Sequence, residues 1–485
     1  MRTKKAFCLY LSVTWLLLLV VVAAGILVGA GNAAGWCVAP LSMVFVLLVT
    51  FGGERCGWLP RATVGVEGTA PPDNSTPPVT GGDAPLIEAP QRPPRLHWLD
   101  NAKAILITMV VIGHSATEFM GSGAFLGFAP PQPTWFMPLA LSGLALLKPL
   151  VVPLFFLISG YFSAAGLASK GRPAFLRASF WRLGPPYFLW WLVVNPANSL
   201  LAYALAQPTQ AAFSYFPSSA ATWFLSWLLV FQCCYALLDG VPTLAAPPSW
   251  SLLACISLGV AAVQLLASVA CAVAGSTLGF GEMPMGGPGG DGFINALGFA
   301  GGVLARTNGW LAQPIPPRLL VPSRRYALVV GAAVLLFFFL TTSPRGPSSE
   351  APSAGGAELW WYALFFALQL PLGPYAVSVW LLALDLFQRR CDRATAVSRF
   401  AAGAAFAVYL VHYYAVTGFA YAWALILEQA EGIDVTFVNS TQSQADIGGG
   451  ANLYLGWLFV AVASVTSSFA VGGLLKRVPG LRAWI

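Results

Sequence analysis

Charge is what this chain has least of. Asp, Glu, Lys and Arg make up 9% of its 485 residues, against about 25% in a soluble domain, which excludes a water-facing surface of ordinary composition. The eight cysteines, at 8, 37, 56, 233, 234, 255, 271 and 391, form no CxxC pair, so neither a zinc site nor a dithiol redox motif is expected. Cys233 and Cys234 read as apolar filler. No GxSxG, P-loop, dinucleotide fingerprint or HExxH occurs, which leaves hydrolase, NTPase and zinc-protease chemistry without a motif. No long Lys/Arg run accompanies the net charge of +7, so nucleic acid is excluded as a partner. No internal repeat of the kind built into transporter halves is visible.

Apolar residues fill the space, at 57% of the chain, and the sequence predicts an all-α, polytopic transmembrane helix bundle. Residues 1–52 carry two apolar runs, the first too long for a signal-peptide core, and predict two N-terminal transmembrane helices. Residues 53–94 shift to Pro, Gly, Thr and Asp and read as a disordered cytoplasmic linker. The main domain, 95–485, shows ten apolar runs, near 98–120, 138–166, 183–206, 221–239, 250–274, 291–305, 326–342, 358–387, 400–424 and 452–475.

Basic residues punctuate these runs on one side. Lys170, Arg172, Arg177 and Arg182 follow the second, Arg306, Arg318, Arg324 and Arg325 the sixth, Arg389, Arg390, Arg393 and Arg399 the eighth, and Lys476, Arg477 and Arg482 the tenth. The positive-inside rule makes that side cytoplasmic. The sequon at Asn439 then falls outside and that at Asn74 inside. The stretch GEMPMGGPGGDG reads as an outward turn whose Glu282 and Asp291 could meet an acceptor.

The first run of the main domain, WLDNAKAILITMVVIGHSATEFM, carries polar groups that membranes tolerate poorly. At 100° per residue, Asp100, Lys103, His114 and Glu118 lie within an arc of about 60°, and Lys103 and His114 are separated by about 16 Å along the axis. One wet face turned toward a cavity follows; the bland alternative is that these groups mark the two interfacial ends of an ordinary span.

Six stretches come in one order and spacing: WLDNAKAILITMVVIGH, PLFFLISGYFSA, FLRASFWRLGPP, TWFLSWLLVF, GFAGGVLARTNGWL and AFAVYLVHYY. Together they resemble the acyltransferase-3 family of integral membrane acyltransferases, in particular its glucan-modifying, glucan succinyltransferase-like branch. The resemblance runs from about Arg95 to the C-terminus. It implies a multi-pass enzyme of the plasma membrane or an endomembrane that moves an acyl group of the acetyl or succinyl class from cytoplasmic acyl-CoA to a hydroxyl of a carbohydrate or glycan. No bound cofactor is implied; acyl-CoA is a substrate.

The family's first-helix signature, a basic residue and a His with ten residues between them, falls on Lys103 and His114, which with Asp100 are the candidate catalytic residues. A cation near the cytoplasmic end can hold phosphate, and an imidazole three turns deeper can deprotonate a hydroxyl. The family's Arg-x-x-Arg loop pair is met only by Arg182; Ser179 stands at the first position, with Arg177 as a nearby substitute. Pro185-Pro186 reads as the helix break that follows. Arg306 serves either topology or CoA. Tyr161 offers a hydroxyl beside Ser159 and Gly160, small residues suited to close helix packing. Trp223, in an expected interfacial aromatic belt, is a sugar-site candidate, and Glu118 completes the set. His412 is a second intramembrane imidazole, followed by Tyr413 where the family commonly has Pro. The competing class is a membrane transporter or flippase using the polar stripe as a substrate path.

Overall fold

A computed structural model of the chain describes residues 96–120, 126–129, 135–197, 200, 222–238, 240–273, 292–342, 357–431, 443–446 and 450–479. The two expected N-terminal helices, the expected linker, Asn74, Asn439, Glu282 and Asp291 lie outside the described residues. Within them the chain is helical apart from one short strand pair. The α-helices are α1 (His97–Glu118), α2 (Phe136–Lys170), α3 (Arg172–Leu189), α4 (Trp223–Leu237), α5 (Trp250–Val273), α6 (Gly292–Thr307), α7 (Pro317–Thr342), α8 (Ala357–Arg390), α9 (Ala396–Glu431) and α10 (Gly450–Leu475). Each overlaps one of the ten apolar runs, and five segments, in α2, α7, α8, α9 and α10, are long and apolar enough to cross a membrane. On α7, Leu328 and Val329 are 68% and 70% exposed, the apolar face that a helix against lipid presents.

Hydrogen bonds gather the basic loops at one end of the bundle. Asp392 accepts from the Trp98 backbone N–H at 3.2 Å, supplying a carboxylate to the first turn of α1, and Asn101 donates to the carbonyls of Cys391 and Arg393. Arg172 donates to Leu238 O at 2.9 Å. Asn308 reaches Leu244 N–H and Pro242 O, and Gln388 reaches Leu311 O. The loops after α2, α4, α6 and α8 therefore share one end with the start of α1. At the other end β1 (Leu126–Ala129) pairs in parallel with β2 (Ser443–Asp446).

α1 stands in the centre. Leu99 and Leu106 belong to an apolar cluster shared with α2, α3, α4, α6 and α8, whereas Ile107 and Val111 belong to a second one with α9 and α10. α2 and α6 make the most extensive contact of any two elements described, and glycine explains it. A Cβ on Gly160 would strike Phe299 O, one on Gly302 would strike Leu157 O, and one on Gly298 would press on Pro153 O. α2 also runs through Pro149 and Pro153. Pro153 has no N–H for the carbonyl four residues back, and Trp380 Nε1 on α8 donates to that Pro149 carbonyl instead, at 2.7 Å.

Two expectations are corrected. Pro185-Pro186 does not break the helix: α3 continues through both, and the departure from α geometry comes one turn later as a π segment over Trp190–Val194. The TWFLSWLL stretch is not an interfacial belt, because Trp227 is 1% exposed and packs on Phe231 inside the larger cluster.

Candidate functional site

The polar stripe of α1 meets two different surroundings. Near the end that carries the basic loops, α1, α2, α3, α4 and α6 enclose a cavity of ≈ 650 Å³. Lys103, Lys170, Arg182 and Arg306 line it, against one carboxylate, Asp100. That carboxylate is paired with Lys103 at 2.7 Å, and the Lys103 ammonium also lies 4.9 Å from the Phe162 ring centre. Arg306 donates to Tyr161 Oη at 3.2 Å. The same Arg306 borders an adjoining hollow of ≈ 630 Å³ that Arg172 also lines. Four cations from four helices against one carboxylate give the cavity an excess of positive charge, and guanidinium groups favour phosphate oxygens.

Arg177, by contrast, is exposed and does not line the cavity. It does not stand at the cavity where the missing member of the pair would. Five residues place Arg177 and Arg182 about 140° apart around α3, whereas three residues keep Ser179 within about 60° of Arg182. Ser179 accordingly does line the cavity.

Three turns deeper, His114 meets α9. Its ring centre is 5.2 Å from that of His412 and 4.7 Å from that of Tyr413. His412, 1% exposed, holds its Nδ1 2.7 Å from Tyr409 O. A carbonyl only accepts, so Nδ1 carries the proton and a neutral ring keeps its lone pair on Nε2. Nε2 meets no hydrogen-bond partner among the described residues. Glu118, one turn beyond His114, is buried at 2% exposure.

Aromatic rings connect the cavity to this pair. Phe155 lines the cavity and lies 6.1 Å from Phe224; Phe224 is 5.8 Å from Tyr409, and Tyr409 is 6.0 Å from His412. Along α4, Phe224, Leu228 and Gln232 recur every four residues and so share one face. Leu228 and Gln232 line the cavity, while Phe224 reaches toward the histidines.

Of the residues singled out in the sequence, Asp100, Lys103, Tyr161, Arg182 and Arg306 thus come together in the cavity, and His114 and His412 come together beyond its inner end. Trp223 is half-buried against the core and lines neither. Sequence reasoning missed Lys170, taken as topological, and Gln232 with Ser163, for which an uncharged polar residue inside an apolar run was the only signal. No group of three metal-ligating side chains occurs among the described residues.

A family model for an acyltransferase domain, that of the acyltransferase-3 family, matches residues 96–473. No curated protein and no solved structure matches the chain. The matched residues hold both the cavity and the histidine pair, and the chain belongs to the acyltransferase-3 family, as an acyltransferase that moves groups other than aminoacyl groups.

Proposed function

We propose that this acyltransferase takes its acyl group from cytoplasmic acyl-CoA and passes it to a hydroxyl of a carbohydrate or glycan within the membrane. The observation that carries the reading is the cavity with four cations and one paired carboxylate at the end that gathers the basic loops. A polyanionic donor suits those charges. Lys103, Lys170, Arg182 and Arg306 would hold its phosphates, and the Phe155, Leu228 and Phe224 face would lead the thioester toward the histidines.

There His114 takes the proton of the acceptor hydroxyl as its oxygen attacks the thioester carbonyl. The C–S bond breaks, the thiolate leaves toward the cavity, and the proton returns to the sulfur. His412, with its lone pair on Nε2, gives that proton a second place beside His114. Acetyl or succinyl groups fit this scheme equally. The glycan acceptor rests on the resemblance to the glucan-modifying branch.

Purified protein in detergent tests the reading. Acyl-CoA consumption that depends on an added glycan, with the acyl group found on the glycan, is the expected result. Counterflow of solute in liposomes without chemical change would replace it with the transporter reading.

A further inference from the structure

Between the cations and the aromatic inner end, one buried pair in the cavity wall is left unexplained by phosphate binding or proton transfer. Gln232 on α4, 8% exposed, donates from Nε2 to Ser163 Oγ on α2 at 3.0 Å; Ser163 is 4% exposed. Both residues line the cavity. The other head of the glutamine amide, Oε1, is buried and meets no donor among the described residues. A buried acceptor without a partner is costly, and native folds seldom leave one unless a ligand or water completes it.

The chemistry of that oxygen selects its partner. It carries no positive charge and repels phosphate, so it does not extend the cationic wall; what it lacks is an N–H or O–H donor. Its position selects further. Gln232 lies one helical turn from Leu228 and two from Phe224, about 6 and 12 Å along α4, on the face that runs from the cavity to Tyr409 and His412. A CoA thioester placed with its phosphates on the cations and its carbonyl toward the histidines lays its arm along this wall. That arm carries two secondary amides.

We infer that Gln232, held in orientation by Ser163, accepts a hydrogen bond from one amide N–H of the donor's arm and is a specificity-determining residue for the donor. This rests on the acyl-CoA reading above. It makes the enzyme discriminate between a pantetheine thioester and a plain thioester of the same length, a distinction that cations at the mouth cannot draw.

The test replaces each arm amide of the acyl-CoA, one at a time, by an ester, which keeps the carbonyl and shape but removes the N–H. Wild-type protein should lose about tenfold in kcat/KM with one of the two analogues, through KM, as expected when a buried acceptor goes unmatched. Gln232→Leu should lose a similar factor with natural acyl-CoA and show no further loss with that analogue. Ser163→Ala, which frees the glutamine, should narrow the discrimination. A folded Gln232→Leu variant that discriminates as wild type does would overturn the assignment. So would a wild-type enzyme indifferent to both esters, a result that needs no variant to fold. Absence of turnover with natural acyl-CoA strikes the donor reading itself; turnover without discrimination strikes only the role of Gln232.

Discussion

A single guanidinium and its neighbour on α3 separate two kinds of basic residue. Arg182 lines the cavity and Arg177 does not, so Arg182→Gln should raise the acyl-CoA concentration needed for half-maximal rate while Arg177→Gln leaves it unchanged; donor titration of the two variants decides. Lys103→Gln should act like Arg182→Gln, with the added loss of its ion pair to Asp100. At the inner end, His114→Ala should keep its membrane insertion, because α1 retains Leu99, Leu106, Ile107 and Val111 in the two apolar clusters. It should lose turnover by roughly 10² to 10⁴-fold, the usual consequence of losing a general base. His114→Gln, which keeps polarity but cannot exchange a proton near neutral pH, should fall as far; near wild-type transfer in both folded variants would remove His114 from the chemistry. The stripe of α1 was legible in the sequence because helical periodicity alone sets which side chains share a face. Its partners were not, since nothing local tells that residue 412 returns to within ring contact of residue 114. Gln232 offered only an uncharged polar side chain in an apolar run for a related reason: an oxygen without a donor among the described residues is a property of the packed structure.

Between elements, the decisive contacts are backbone to backbone. Gly301 and Gly302 are adjacent on α6, yet a Cβ on Gly301 meets nothing within 4 Å, whereas one on Gly302 overlaps Leu157 O. Gly302→Ala should therefore lower the thermal midpoint of the purified protein and its folded yield. Gly301→Ala should do neither, and gains the better helix propensity of alanine, about 1 kcal/mol. Equal behaviour of the two variants would show that α2 and α6 do not pack as described. Trp380→Phe provides a second check: it removes the donor to Pro149 O and should cost about 1–3 kcal/mol for a buried carbonyl left bare, readable in the same melt. The small residue at Gly160 announced close packing in advance, but its partner helix did not announce itself, and Ser159 lines the cavity instead. The prolines of α3 misled because proline's local cost was allowed to decide, where the surrounding bundle carries the helix through both.

For the molecule as a whole, charge placement and contact geometry agree on two ends. The Lys- and Arg-rich loops that follow α6 and α8 meet where Gln388 donates to Leu311 O, and two loops poor in them, those after α1 and α9, meet through β1 and β2. A reporter fused after Ile485 should accordingly be shielded from reagents outside intact cells and exposed once they are opened. Labelling from outside would invert the bundle and place the cationic cavity away from cytoplasmic donors.

The bond between Trp98 and Asp392 also has a meaning in time. Its partners are 294 residues apart, so a ribosome adding ~5–20 residues per second emits the second roughly 15 to 60 s after the first. During that interval α1, the helix carrying Asp100, Lys103, His114 and Glu118, exists without the loop that anchors its first turn and without the helix that bears His412. A helix with four ionisable side chains is thus made at the start of the domain and completed by partners made near its end. Newborn chains must therefore hold their future reaction centre in a provisional place, at the membrane's edge or beside an insertion factor, until α8 and α9 arrive to seat it.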